Sequence, residues 1–328
     1  MMGNPIEQAA EFIRENDGFT LIAHISPDGD TLGSSLALYG VLRELNKHAQ
    51  VVCDNRVPSN YAFLPYINEI LTPDKAKAFP YAISVDCADA QRMGKASALF
   101  DAAVDSVNID HHVTNTTYAH LNIVDGSAAA TGEIIYKLAM ALVPRLSEPV
   151  SICLYTALLT DTGSFAYSNT TPETMRIAAD ILESGIDTYE INRLIYRTVS
   201  YHKMKLLGRA INNMELLFDG KLGITAVTLD EMRELGATEE DTEGVIDSVR
   251  DVESVEVAVM LREVEKDVFK ASLRSKRYAD VSKISREKGG GGHTFAAGYT
   301  AHGMLKEVYA EAVKLAQRTL EDPAWRVS

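Results

Sequence analysis

The sequence predicts an α/β protein: an N-terminal parallel sheet with helices on both faces, a helical connector, and a smaller α+β domain. Three observations carry this. Short apolar runs alternate with helical patterns in the first half of the chain, the grammar of a parallel sheet. The pattern then becomes mostly helical. From Met214 it changes again, to β-rich runs that start around an Asp219-Gly220 dipeptide and end before four consecutive glycines. A length of 328 residues fits two domains better than one.

In the first half, FTLIAH (19–24), AQVVCD (49–54), YAISVD (81–86) and SVNID (106–110) are short and apolar enough for buried strands, and TLGSSLALYGVLRELN (31–46) is a helix. Helices are then expected over 127–143, 149–160 and 171–185, and from 189 to 213 as the connector. This puts the first domain at 1–188 and the second at 214–328. In the second domain MELLF and LGITAVTL flank Asp-Gly, a dipeptide favoured in tight hairpins. Strands follow at 254–264 and 268–275, then the glycine loop and a terminal helix. The eight acids and one arginine between 238 and 256 read as a solvated helix face.

The formal net charge of −14 argues against a protein that coats nucleic acid, because that affinity comes from phosphate neutralisation by Lys and Arg. It leaves room for a small phosphorylated substrate held locally. Cys53, Cys87 and Cys153 lie far apart and form no CxxC, which disfavours a zinc knuckle or disulfide framework and fits a reducing cytoplasm. The first 18 residues read as an amphipathic helix with acids, not a signal peptide. No apolar stretch approaches the roughly 20 residues of a membrane span.

Four acidic or histidine clusters fall where these strands or helices end, and the carboxyl ends of strands are where open α/β sheets bind ligands. His24-Ile-Ser-Pro-Asp28-Gly-Asp30 follows the first strand, with Pro27 and Gly29 forcing an irregular loop. Asp30 reads equally as the N-cap of a helix opening at Thr31. Asp86 ends a strand, with Asp89 and Arg92 beyond it. Asp110-His111-His112 ends another. In LTDTGSF (159–165) an apolar helix stops at Asp161, where the macrodipole disfavours an acid unless a cation compensates. Together they supply two histidines and four carboxylates, a donor set for a pair of divalent metals. Mixed imidazole and carboxylate ligation points to manganese, iron or zinc, and the carboxylate excess to manganese.

HISPDGD, Asp86, the DHH at 110–112, TDTGSF (160–165) and GGGGHTFAAG (289–298) together resemble the DHH phosphoesterase superfamily with a DHHA1 C-terminal domain. The similarity is greatest to its RecJ-like nano-RNase and pAp-phosphatase group, which degrades very short oligoribonucleotides and removes the 3′-phosphate of adenosine 3′,5′-bisphosphate. The resemblance implies that His24 and Asp28 hold one metal, that Asp30, His111 and Asp161 hold the other, and that Asp86 bridges both. It further implies that Asp110 orients His111 and that His112 faces the substrate phosphate. A homodimer is compatible with it.

The segment from Arg262 to Lys288 holds nine Lys or Arg against five acids, a local positive segment in an acidic chain. Consecutive glycines let backbone N–H groups approach a phosphate, so Gly290, Gly291 and Gly292 form a candidate anion nest, with His293 as a side-chain donor. A glycine run is otherwise a flexible loop; the family signature favours substrate contact. Arg274 and Ser275, at the end of a strand, join this set. Arg262 is a candidate that reads equally as a surface ion pair. Tyr167 and Asn169 are expected to line a cleft, whereas His48, His120, His202 and His302 lack an acidic partner pattern.

The expected activity is two-metal hydrolysis of short oligonucleotides, pApA or pAp, in which the metals lower the pKa of an attacking water. A manganese pyrophosphatase shares the N-terminal motifs but not GGGGHTFAAG. A full RecJ exonuclease needs more chain. A catalytically inert nucleotide-binding protein on this fold is the alternative of a different class.

Overall fold

Residues 4–326 are described in a computed structural model, and the chain divides into two units between Thr198 and Val199. The first unit is built on six strands: β1 (Phe19–Ala23), β2 (Ala49–Val52), β3 (Ile70–Leu71), β4 (Tyr81–Val85), β5 (Asp105–Asp110) and β6 (Leu121–Val124). They lie in the order β3-β2-β1-β4-β5-β6, and every pairing is parallel. Parallel strands are buried on both faces, which is why these segments read as near-continuous apolar runs.

On one face Phe19, Leu21, Ile83 and Val107 pack against α1 (Pro5–Glu15), α2 (Gly29–Glu44), α4 (Thr131–Leu142), α5 (Glu148–Asp161), α6 (Pro172–Leu182) and α7 (Thr188–Tyr196). The other face, with Ile22, Val52 and Ala82, is covered more thinly, by Met93, Ala96 and Phe100 around α3 (Ser97–Asp101). The strand order reverses beside β1, so a crevice opens at the carboxyl ends of β1 and β4. Helix α2 is buried from Gly29 to Leu42, pressed between the sheet and α5. The apolar pattern does not reveal β3 and β6. β3 has two residues, and LNIV carries a polar residue mid-run.

The second unit holds a mixed sheet in the order β11-β12-β10-β9-β8-β7. Its strands are β7 (Glu215–Leu217), β8 (Leu222–Val227), β9 (Val257–Glu265), β10 (Val268–Ser275), β11 (Gly291–His293) and β12 (Ala296–His302). Helices α11 (Val281–Glu287) and α12 (Leu305–Glu321) pack on one face. Helices α8 (Tyr201–Asn212), α9 (Leu229–Leu235) and α10 (Val245–Arg250) pack on the other. The hairpin at Asp219-Gly220 forms, with Phe218, Asp219 and Gly220 all left-handed.

The stretch 189–213 is two helices, α7 and α8, and the division between units falls between them. Ser200 restarts the chain as the α8 cap, accepting from the Lys203 N–H. The acidic run 238–256 is only partly a solvated face. Glu256 is buried and accepts the N–H groups of Arg277, Tyr278 and Ala279. Among the described residues no helix is long and apolar enough to cross a membrane, and all three cysteines are free and buried.

Candidate metal centre and anion row

His24 follows β1 directly and is only 2% exposed. Its N–H reaches Thr31 Oγ1, and that hydroxyl donates to the Val85 carbonyl, stapling the β1 loop to the end of β4. Its Nδ1 faces the Ile25 carbonyl at 2.8 Å, which leaves Nε2 turned inward, 3.6 Å from Asp28 Oδ2 and 3.4 Å from Asp86 Oδ2. The helix cap is Asp28, not Asp30: Asp28 Oδ1 accepts the N–H groups of Asp30 and Thr31, and its other oxygen is left for His24. Asp30 lies inside α2, buried. It accepts the Thr131 N–H (2.6 Å), the Gly132 N–H (3.0 Å) and the Ser34 hydroxyl (2.9 Å).

Asp86 sits between two histidine groups. Oδ2 faces His24, while Oδ1 accepts from Thr131 Oγ1 (2.8 Å) and lies 3.7 Å from His111 Nε2. Its backbone is left-handed at φ 61°, an uncommon state for a non-glycine residue, and its N–H is tied to the Ile109 carbonyl. His111 Nε2 also lies 3.5 Å from Asp161 Oδ2 and 3.8 Å from Asp30 Oδ2, with Nδ1 against the Ala128 carbonyl. Asp161 ends α5, and its carbonyl accepts from Asn169. The expected ligands thus fall into two triads, His24, Asp28, Asp86 and Asp30, His111, Asp161, in each of which the donor atoms lie within 4.8 Å of one another. Asp86, His111 and His112 meet the same condition, so Asp86 belongs to a group on either side.

The electrostatics fit a cation. Burial, then the neighbouring Asp86, Asp161 and Asp28 carboxylates, push Asp30 well above the ordinary carboxylate range. Burial and the Asp86 and Asp28 charges raise Asp161 to about 6 against the pull of His111. Burial opposes a charge on His24, yet Asp28 and Asp86 raise it to about 9. A divalent ion held among these carboxylates would relieve the repulsion that raises Asp30 and Asp161.

Asp110 corrects one expectation. β5 ends at Asp110, and in the turn that follows both imidazoles reach Asp86 Oδ1, but His111 Nδ1 is turned to the Ala128 carbonyl, which leaves the Asp110 carboxylate to His112. Asp110 Oδ1 lies 2.7 Å from His112 Nδ1. Sequence reasoning assigns no role to Thr131, which binds both Asp30 and Asp86, or to Arg92, whose guanidinium lies 3.1 Å from His24 Nδ1. Tyr167 is exposed. His48 and His120 do have acidic partners, Asp17 and Asp105, at 2.8 and 2.7 Å.

In the second unit the strand register places His293 opposite Ala296, and Ala296 opposite Arg274. Registered neighbours share a sheet face, so a basic side chain and an imidazole flank a bare alanine, with Gly291 and Gly298 in the next row of that face. Other candidates are corrected. Arg262 is 8% exposed and paired with Glu239 at 2.6 Å. Ser275 is buried, its hydroxyl donating to the Ala279 carbonyl. The Gly290 N–H closes the end of α11 on the Ser285 carbonyl, so it is not a nest donor. Gly290 and Gly292 answer to packing: a Cβ would stand 2.2 Å from the Gly298 oxygen and 2.5 Å from Ala297 Cα. The segment expected as a loop is β11, an edge strand.

Comparison with known proteins agrees with this anatomy. The family described as "DHH family, N-terminal domain" matches residues 19–160, and the DHHA1 domain matches 220–322. The bifunctional oligoribonuclease and PAP phosphatase NrnA of Thermus thermophilus is 36% identical over 95% of this chain and 93% of its own length. The crystal structure of an exopolyphosphatase-related protein from Bacteroides fragilis superposes with a TM-score of 0.89 at 27% identity, covering 97% of this chain and 95% of that one. The fold is also that of RecJ from Thermus thermophilus (TM-score 0.58, 14% identity, 98% of this chain and 56% of that one). With the DHH triplet closing β5 and the glycine motif forming the β11–β12 hairpin, this chain belongs to the DHH phosphoesterase family and carries a DHHA1 domain as its second unit.

Proposed function

We propose that this protein is a manganese-dependent hydrolase of short phosphorylated nucleotides, cleaving pApA and similarly short oligonucleotides to mononucleotides and adenosine 3′,5′-bisphosphate to AMP. The carrying observation is Asp86, whose two oxygens face two separate histidine–carboxylate groups. The donor set suits two ions, one held by His24, Asp28 and Asp86, the other by Asp30, His111, Asp161 and Asp86. When bound, such ions acidify water and neutralise phosphoryl oxygens. The Nδ1 contacts of His24 and His111 with backbone carbonyls keep their Nε2 lone pairs aimed inward. The Thr131 N–H and Oγ1 hold Asp30 and Asp86 in register. His112 binds the phosphate through Nε2 while Asp110 holds Nδ1. In the reaction water oxygen joins phosphorus, the bond from phosphorus to the nucleoside oxygen breaks, and that oxygen takes up a proton. In the second unit the row of Arg274 and His293 offers a basic seat for a phosphate or a nucleotide end. The free buried cysteines suit a cytoplasmic enzyme.

The deciding assay offers pAp, pApA and inorganic pyrophosphate with manganese. Turnover of the first two is expected; hydrolysis of pyrophosphate alone would make the protein a pyrophosphatase, and no hydrolysis a binding protein. Two further results are expected. Arg274→Ala raises KM for pApA by about 10- to 100-fold, the worth of one charge-assisted hydrogen bond of about 1.5–3 kcal/mol, with kcat little changed. Manganese at about 100 times its Kd stabilises the first unit by about 2.7 kcal/mol. A melt by circular dichroism then moves up by about 5–10 °C, and no shift would count against the metal assignment.

A further inference from the structure

The loop after the DHH triplet contains a hydrogen-bond chain that reaches His112 from deep in the first unit. Asn115 is its central link. The Asn115 Nδ2 group donates to Asp110 Oδ2 at 2.6 Å and to Asn108 Oδ1 at 2.7 Å. The opposite carboxylate oxygen, Asp110 Oδ1, meets His112 Nδ1 at 2.7 Å. Behind Asn115, the fully buried Asn108 donates to Ser84 Oγ (3.0 Å) and Tyr118 Oη (3.0 Å), and the Tyr118 hydroxyl reaches Ser84 Oγ and the Cys87 carbonyl.

The orientation of the Asn115 amide is over-determined. Its Oδ1 accepts the Thr117 N–H at 2.7 Å, and its backbone N–H closes a turn on the His112 carbonyl. Thr117 adopts a left-handed backbone in this turn, at φ 50°, an outlier for a β-branched residue. Such a conformation persists only where its surroundings enforce it. With Oδ1 fixed on Thr117, the amide can present only donors to Asp110, so the carboxylate stays an acceptor and His112 Nδ1 must carry a proton toward it. His112 Nε2 has no partner among the described residues.

We propose that Asn115 is a positioning residue for hydrolysis: acting through Asp110, it fixes the ring orientation and tautomer of His112 so that Nε2 faces the substrate phosphate. This rests on the phosphoesterase reading above. Asn115 hydrogen-bonds to none of the six residues assigned to metal, so its effect is separable from metal binding.

The test uses Asn115→Asp, which keeps the acceptor for Thr117 and replaces the donor facing Asp110 with an oxygen. The expected result is a fall in kcat on pApA of about 10- to 100-fold with KM within about threefold, the usual scale for groups that orient a catalytic side chain. Manganese affinity, read from the free-ion signal by electron paramagnetic resonance, stays at the wild-type value. Nitrogen-15 NMR of labelled histidine, recorded on the protein without substrate, shows the His112 Nδ1–H tautomer in wild type and its loss in the variant. Tyr118→Phe keeps the ring packing and lowers kcat in the same direction by less, which covers the case in which Asn115→Asp does not fold. Wild-type kcat in both variants, a loss restored by excess manganese, or an unchanged His112 tautomer overturns the proposal. If wild type itself hydrolyses none of the substrates, the functional reading fails, and the NMR comparison still decides the role of Asn115.

Discussion

Asp86→Ala removes turnover: kcat/KM on pApA is expected to fall by at least about 10³-fold, some 4 kcal/mol of transition-state stabilisation. Among the described residues no other carboxylate faces both histidine groups with separate oxygens. Without it the His24 triad is broken and its link to the His111 triad is lost. The substitution also strips the Thr131 hydroxyl of its acceptor and places alanine at φ 61°. A loss of fold must therefore be separated from a loss of chemistry. Asp86→Asn does this, because asparagine tolerates the left-handed region and still accepts from Thr131. Both variants are expected to be inactive. The asparagine variant loses both the repulsion that raises Asp30 and Asp161 and the attraction that raises His24, so its metal-free melting temperature is expected to stay within about 5 °C of wild type. Lost activity with metal-free stability retained marks a group kept for function. Wild-type turnover in Asp86→Asn would remove Asp86 from the site.

Much of this site is legible in the sequence because its candidate ligands stand at element ends. The apolar pattern locates β10 residue for residue at 268–275, and His24 and Asp86 each follow a strand that apolar runs alone locate. Side-chain direction and long-range pairing are less legible. Assigning Asp110 to His111 takes neighbours in sequence for neighbours in space: His111 Nδ1 turns to the Ala128 carbonyl, 17 residues away, and Asp110 is left to His112. Arg262 looks free in the sequence because Glu239 is 23 residues away, and only the folded unit brings them together. The ion pairs of His48 with Asp17 and His120 with Asp105 follow from parallel register, which aligns the chain just ahead of β1 with that ahead of β2, and the start of β5 with the chain ahead of β6. The glycines of the C-terminal motif do mark a close approach. What approaches Gly290 and Gly292 is the backbone of β12, and the candidate anion seat is the neighbouring row of Arg274 and His293.

Gly33→Leu is expected to disable the first unit as completely as loss of a ligand, from a position that touches no substrate. Along α2, Gly29 and Gly33 lie against α5: a Cβ at Gly33 would stand 2.4 Å from the Cys153 carbonyl oxygen and 2.9 Å from the Ala157 nitrogen, and one at Gly29 2.4 Å from the Thr160 side chain. Backbone cannot yield as a side-chain tip can, so the helices must separate. α2 carries Asp30 near its start and α5 carries Asp161 at its end, so their spacing is also the spacing of two carboxylates in one triad. Overpacking typically costs about 1–3 kcal/mol, and more where the backbone itself is displaced. Against a typical domain stability of about 5–15 kcal/mol, that is a melting temperature lower by about 10 °C or more, or no folded first unit. Gly208 supplies the control: it lies inside α8, and a Cβ there would have no atom within 4 Å, so Gly208→Ala should be neutral or stabilising by up to about 1 kcal/mol. Melting curves with and without manganese read both. If Gly33→Leu melts within about 2 °C of wild type and keeps its manganese response, the close approach of α2 and α5 does not set the geometry of the centre.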